Sequence, residues 1–98
     1  IGVEQLDYNA FNLEVFPVPV ENNATIRFSL DSDAEVEISV YSVVGQKVSS
    51  ISYGSYPAGS YSISWSGTDH AGNQLGTGMY ILKMTAGGEV STLKILKK

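Results

Sequence analysis

The sequence predicts an all-β protein, an antiparallel β-sandwich of about seven strands. Apolar and polar residues alternate over short runs, most cleanly at residues 24–30, 35–41 and 60–66. Clusters of glycine, proline, asparagine and aspartate separate these runs and mark turns. No window shows the periodicity of an amphipathic helix. Alternation with a period of two is typical of antiparallel strands that turn one face to a core and the other to solvent.

Composition excludes several classes of protein. The 98 residues suffice for one small domain, and 43% hydrophobic residues suffice for a core. No apolar run approaches the ~20 residues of a membrane-spanning helix. The net charge of −4 argues against nucleic acid as a partner. The absence of cysteine excludes disulfides and thiolate metal sites.

The first residues lack both the alternation and the features of a signal peptide. Residues 1–10 are weakly patterned and are expected to form a linker or a loosely held leader, so the domain is assigned to residues 11–98. No charged start and apolar block follow Ile1. We therefore expect the sequence to be the mature or excised part of a longer protein.

Turn chemistry predicts where the strands begin and end. Pro17 and Pro19 end a first strand that begins near Phe11, because proline has no N–H for a strand ladder. Gly45 takes the left-handed position of a tight hairpin turn. Within residues 35–41, Ser39 is assigned to the solvent face. The remaining strands are expected at residues 24–30, 35–41, 46–53, 60–66, 79–86 and 90–96.

A long corner, residues 65–80, joins two of these strands. Trp65 and Tyr80 are large enough to anchor its two ends in a core. Asp69 is expected to cap the turn at its tip together with Asn73. Glycine relieves the steric penalty of left-handed backbone at the remaining positions, which are Gly67, Gly72 and Gly78. We interpret the segment as a structural corner rather than an active site.

The residues with catalytic chemistry are few. The single histidine, His70, sits at a turn, and no arrangement of serine and acid around it predicts a triad. One histidine cannot form a transition-metal site. Asp31, Asp33 and Glu35 have the spacing of the start of a calcium loop, but the required glycine and distal glutamate are missing. The expectation is a protein that is not an enzyme and has no cofactor and no metal, with calcium at these carboxylates left open.

Composition and pattern do not say what such a sandwich binds. Tyr41, Tyr53 and Tyr56 either stack on sugar rings or pack on neighbouring strands. Exposed strand edges also allow a weak homodimer.

Four blocks of the sequence, in order, resemble the type A C-terminal sorting domains of the type IX secretion system. They cover residues 11–98 and include Gly45 and the corner residues Trp65, Gly67, Asp69, Gly72, Leu75, Gly78 and Tyr80. One departure is Val18, which stands where the family usually has asparagine between two prolines. The blocks lie at residues 13–19 with 24–30, 37–48, 65–80 and 94–98.

The resemblance implies an immunoglobulin-like sandwich that acts as a sorting signal. Such a domain directs an upstream cargo of the same precursor through the periplasm and across the outer membrane of a gram-negative bacterium. A surface sortase typically removes it while the cargo is attached to anionic lipopolysaccharide or released. The cargo thus reaches the cell surface or the extracellular space. The implied contacts with the translocon and sortase lie at Lys94, Ile95, Leu96, Lys97 and Lys98.

A second resemblance leaves an alternative open. The corner blocks are also similar to the immunoglobulin-like domain of flagellar hook-capping proteins. The alternative is therefore a retained, non-catalytic module of a surface protein that serves in adhesion, carbohydrate binding or as a scaffold.

Overall fold

The computed structural model describes residues 11–98 as two antiparallel sheets that pack face to face. One sheet has three strands in the order β1-β2-β5, and the other has four in the order β4-β3-β6-β7. The predicted antiparallel β-sandwich of seven strands is confirmed. The strands are β1 (Glu14–Phe16), β2 (Ala24–Leu30), β3 (Ala34–Ser42), β4 (Lys47–Tyr56), β5 (Gly59–Trp65), β6 (Gly78–Ala86) and β7 (Glu89–Lys97).

The three-stranded sheet follows the predicted alternation. In β2, Ile26 and Phe28 are buried while Arg27 between them is exposed. β2 pairs with β5 so that Ile26 faces Ile63 and Phe28 faces Tyr61. The serines of β5 point to solvent, as predicted. Burying one face of a sheet fixes this register, since a slip of one residue would expose the apolar side chains.

The four-stranded sheet is centred on β3 and β6. Val36, Ile38 and Val40 are buried, as predicted. Ser39 differs from the prediction, because it is 1% exposed although it lies on the opposite face. On that outer face Ser39 lies at the base of a small depression that Tyr41 and Lys83 also line, and its hydroxyl donates to Glu37 at 3.4 Å. Strand alternation therefore gives the correct direction of Ser39 but not its burial.

The core runs between the sheets from the start of the described chain to its last strand. Phe11 and Leu13 are 4% and 1% exposed, so both already belong to the packed domain. The predicted leader, residues 1–10, lies outside the described residues. Other core residues include Val20, Ile26, Phe28, Val36, Ile38, Val40, Trp65, Leu82, Met84 and Ile95.

Strand β4 is longer than predicted and ends in an aromatic cluster. It extends to Tyr56, and the turn to β5 shrinks to Pro57 and Ala58. The ring of Tyr56 meets Tyr61 edge to face at 4.9 Å, and both contact Phe28. The extra residues pair with the first residues of β3, and the ring of Tyr56 packs against Phe28. The cluster joins the two sheets where the chain crosses between them.

Within residues 11–98 there is no helix long and apolar enough to cross a membrane.

Candidate recognition surface

The C-terminal strand β7 lies at the edge of the four-stranded sheet, where the sequence places the recognition residues. Its side chains alternate between the core and the solvent. Lys94, Leu96 and Lys98 are exposed, and Leu96 pairs with the exposed Met79 of β6. These four residues, Met79, Lys94, Leu96 and Lys98, are called here the β7 face. It combines apolar and cationic groups at one corner of the molecule.

Ile95 and Lys97 do not lie on that face. Ile95 is 2% exposed and Lys97 is 4% exposed, so neither presents its side chain at the surface. Both residues lie at positions of β7 whose side chains point toward the core, because successive side chains of a strand alternate between its two faces. Only the exposed members of the predicted set are accessible to a partner that meets the folded domain.

The ammonium group of Lys97 binds backbone oxygens. Nζ donates to the carbonyl of Glu21 at 2.8 Å and to the carbonyl of Lys98 at 3.1 Å. The aliphatic stem passes Gly67, where an added Cβ would lie 3.1 Å from Lys97 Cε. A side chain at position 67 would therefore obstruct the path of Lys97. Gly67 is thus needed for close approach as well as for its φ of +73°.

The end of β7 is also held through its backbone. The N–H of Val20 donates to the carbonyl of Leu96 at 2.7 Å, and the N–H of Lys98 donates to the carbonyl of Val20 at 2.8 Å. This parallel bridge occupies the outer side of β7 at its last residues. The open part of this edge is therefore shorter than the strand, because its C-terminal end already has a partner.

The segment before Val20 follows the predicted strand end. β1 stops at Phe16, and Pro17 and Pro19 follow it with cis peptide bonds. Both prolines lie outside the ladder, as predicted. Val20 then turns inward and is fully buried.

The corner of residues 65–80 is closed by its own hydrogen bonds. Trp65 Nε1 donates to the carbonyl of Thr68 at 3.3 Å. Asp69 Oδ1 accepts from the N–H groups of Ala71 at 2.9 Å and Asn73 at 3.0 Å. Asp69 is therefore engaged in the turn, as predicted, and Gly72 at the tip has a φ of +89°.

The two ends of the corner fasten it to both sheets. Trp65 in β5 is 6% exposed, and the hydroxyl of Tyr80 in β6 donates to the carbonyl of Gly76 at 2.9 Å. Gly78 begins β6. The N–H of His70 donates to the carbonyl of Val48 at 3.1 Å, which attaches the tip to β4. The arrangement is that of a structural corner.

The carboxylates of Asp33 and Glu35, which were considered for calcium, bind different partners. Asp33 Oδ1 accepts from the N–H of Ala58 at 2.9 Å, and Glu35 accepts from the hydroxyl of Ser55. Within the described residues no group of three histidine, cysteine, aspartate or glutamate residues is placed to hold a metal ion.

The outer face of the four-stranded sheet holds a charged cluster that the sequence analysis missed. The ammonium of Lys47 lies 2.9 Å from a carboxylate oxygen of Glu37. This hydrogen bond holds the pKa of Glu37 below its ordinary value and raises the pKa of Lys47. Lys47 and Lys83 both lie over the ring of Tyr41, at 5.9 and 5.6 Å. Strand alternation places these residues on the outer face of the sheet, so the sequence pattern could have predicted that they lie together.

The three tyrosines considered for sugar stacking have different environments. Tyr41 lies beneath the two lysines and Tyr56 packs in the aromatic cluster. Tyr53 is 80% exposed. They do not form one aromatic platform.

The FlgD Ig-like domain family model matches residues 19–89 of this chain. No curated protein matches the chain. Solved structures that share the fold include proteins of Porphyromonas gingivalis and P. aeruginosa. Dimeric latent PorU from Porphyromonas gingivalis aligns at TM-score 0.74 and 24% identity, over 87% of this chain and 9% of that chain.

The second structure is PorZ of P. gingivalis, described as an essential bacterial surface component of the type IX secretion system. It aligns at TM-score 0.62 and 12% identity, over 89% of this chain and 11% of that chain. The third is FlgD from P. aeruginosa, at TM-score 0.57 and 26% identity, over 89% of this chain and 67% of that chain. The chain thus spans about a tenth of the length of the first two proteins.

Proposed function

Because this chain belongs to the FlgD Ig-like domain family, we propose that it is a non-catalytic recognition module, and in particular a C-terminal sorting domain of the type IX secretion system. It directs an upstream cargo through the periplasm and across the outer membrane of a gram-negative bacterium to the surface or the medium. Its partners are the translocon and a surface sortase, which removes the domain as the cargo is attached to anionic lipopolysaccharide.

The observation that carries the proposal is the module shared with PorZ. A domain of this fold accounts for about a tenth of a protein described as a type IX secretion component. The four sequence blocks that resemble sorting domains lie within the same module, and they meet in space. The last block bonds Val20, which directly follows the first stretch of the first block, and its Lys97 approaches Gly67 of the third. The N–H of His70 in the third block binds the carbonyl of Val48 at the end of the second.

The proposal of a non-catalytic role rests on how the reactive groups are used. Asp69 is occupied by two backbone N–H groups, and the backbone of His70 is tied to β4. Neither forms part of an arrangement of nucleophile, base and orienting acid among the described residues.

The β7 face is the proposed contact with the translocon. Lys94 and Lys98 are cationic, while Leu96 and Met79 are 42% and 45% exposed. Exposed cations next to apolar side chains fit an acidic partner surface with an apolar centre. Buried Ile95 and Lys97 act on recognition through the stability of the strand.

The direct test is a reporter protein fused upstream of residues 1–98 and expressed with a signal peptide in a bacterium with a type IX system. We expect the reporter at the cell surface, and in the periplasm when the translocon is deleted. A reporter that stays in the periplasm although the fused domain is folded would contradict the sorting role.

Point variants separate contact from folding better than truncation, because removal of residues 94–98 also removes buried Ile95 and Lys97. The double variant Lys94→Glu, Lys98→Glu should keep the domain folded and reduce surface delivery. The control exchanges two exposed residues of β5, Ser62→Glu and Ser64→Glu, and should be delivered normally. Equal delivery of both variants would exclude the β7 lysines as the contact.

A scaffold role is the second candidate, favoured by the family match and by the likeness to FlgD, which covers two thirds of that protein. It predicts that the domain remains in the mature protein. Mass spectrometry of the surface-attached protein distinguishes the candidates, since a sorting domain is removed and a scaffold is retained.

A further inference from the structure

Three of the four sheet edges within residues 11–98 carry a feature that discourages pairing with another chain. β1 has three residues, and prolines follow it. β4 has two register shifts, and the N–H of His70 binds its Val48 carbonyl. β7 carries the exposed Lys94, is followed by the exposed Lys98 and is closed at its end by Val20. Short length, proline, bulges and lysine are the features that protect natural edges.

Strand β5 has none of these features. Its seven residues contain no charge, no proline and no register shift against β2. Ser60, Ser62 and Ser64 are exposed, while Tyr61 and Ile63 are half-buried at the rim of the core. A regular, uncharged edge of this length is a template for another strand.

The hydrogen-bonding side of each β5 residue follows from β2. The N–H of Ser29 donates to the carbonyl of Phe11 at 2.7 Å, so the backbone of Ser29 faces the β1 side. Backbone groups alternate sides along an antiparallel strand. Phe28 and Ile26 therefore bond with their β5 partners, Tyr61 and Ile63.

The intervening β5 residues face the open edge. The N–H and C=O groups of Ser60, Ser62 and Ser64 point away from β2, and no other strand within residues 11–98 pairs with them. The open edge thus presents donors and acceptors at three alternating positions, symmetric about Ser62.

We propose that β5 pairs with β5 of a second copy of this chain, antiparallel and with the two-fold axis at Ser62. Ser62 then faces Ser62 of the second copy, and Ser60 faces Ser64. Each of these pairs exchanges two hydrogen bonds, so every open N–H and C=O of the three serines is satisfied. The result is one continuous six-stranded sheet across an isologous interface.

The side chains of β5 also favour a second copy of this chain as its partner. In this register Tyr61 lies opposite Ile63 of the second copy, an aromatic and β-branched pair that stabilises adjacent strands. Both side chains are half-buried in one copy and become more buried in the pair. Because β5 is uncharged, two copies meet without opposed like charges, although each chain carries a net charge of −4. This inference does not depend on the sorting role.

The test is the mass of the full chain by sedimentation equilibrium up to about 1 mM. We expect a reversible dimer. The variant Ser60→Lys, Ser62→Lys, Ser64→Lys opposes like charges at every pair and should weaken the dimer more than tenfold, as should the corresponding aspartate variant. An equimolar mixture of the lysine variant and the aspartate variant should form a heterodimer, because opposite charges then face each other. A misfolded variant could not form this heterodimer. Lysine at Val90 and Thr92 of β7 is the matched control and should leave the dimer unchanged.

The register has its own test, because the chain contains no cysteine. Ser62→Cys should form a disulfide-linked dimer on oxidation, since residues facing each other across paired strands have Cα atoms within disulfide range. Ser60→Cys should crosslink with Ser64→Cys when the two are mixed. A strictly monomeric chain, an unaffected dimer of the lysine variant, or a failure of these crosslinks would each overturn the proposal.

Discussion

The ammonium nitrogen of Lys97 lies 2.8 Å from the carbonyl oxygen of Glu21, a residue 76 positions earlier in the chain. The contact ties the last strand to the segment that follows the two prolines. A lysine that is 4% exposed and bound to carbonyl oxygens fastens the fold, whereas the side chain of its neighbour Lys98 forms an exposed ion pair with Glu21 at 3.7 Å. The two terminal lysines therefore have different roles.

Replacing Lys97 by methionine should lower the free energy of unfolding by about 1–3 kcal/mol, because hydrogen bonds from a charged donor are lost while the stem remains. Lys98→Met is the control and should change stability by less than about 0.5 kcal/mol. Urea denaturation of both variants measures the difference. Equal stability of the two variants would contradict the fastening role.

Two glycine variants separate close approach from backbone strain. Gly67 and Gly72 both have positive φ, but an added Cβ meets Lys97 and the Asn22 carbonyl only at position 67. Gly72→Ala should cost about 1–2 kcal/mol through left-handed backbone alone. Gly67→Ala should cost more, and part of its excess should disappear when Lys97 is also shortened to alanine. A double-mutant cycle measures this coupling, and additive costs would count against the contact.

Trp65→Ala should destabilise the domain by ~3–5 kcal/mol, because it leaves a cavity at the edge of the core. We expect surface delivery of a fused reporter to fail in this variant because the domain unfolds. Circular dichroism and a delivery assay on the same protein test this. His70→Ala, at the exposed tip, is the control with little effect on either. A folded Trp65→Ala domain that is not delivered would make the corner a direct contact.

The ion pair of Glu37 with Lys47 predicts a pH dependence. The pKa of Glu37 is lowered in the folded state by its hydrogen bond with Lys47. Its contribution to stability is therefore fully present above the ordinary pKa near 4.5 and is lost as the pH falls through the lower folded value. The stability difference between the wild type and Glu37→Gln should accordingly shrink in acid.

Denaturation midpoints between about pH 2 and 7 measure that difference, because this range runs from well below to well above the ordinary pKa of a glutamate. Added salt should reduce it at neutral pH, since the pair is exposed to solvent. Glu89→Gln, in the β6–β7 hairpin, controls for the removal of one carboxylate elsewhere. A difference that is constant with pH would show that the pair does not stabilise the fold.

The candidate site could be predicted from sequence only in part. The strand β7 and its edge lysines are visible in the pattern, and strict alternation from buried Ile95 already assigns Lys97 to the inward side. Lysine is nevertheless mostly exposed in folded proteins, because burial of its charge is costly unless the ammonium group has partners. Burial of Lys97 depends on a hydrogen bond to the carbonyl of Glu21, and the local sequence does not predict that contact.

The elements follow from local sequence: strands with a period of two, Gly45 at a hairpin turn, Asp69 at a capped tip and prolines at a strand end. These are local properties, because side-chain alternation and turn geometry depend on neighbouring residues. Long-range packing sets the order of the strands, the closing of β7 by Val20 and the open edge of β5. Those features depend on which distant segments meet when the apolar faces are buried together, and the burial of Lys97 is their clearest consequence.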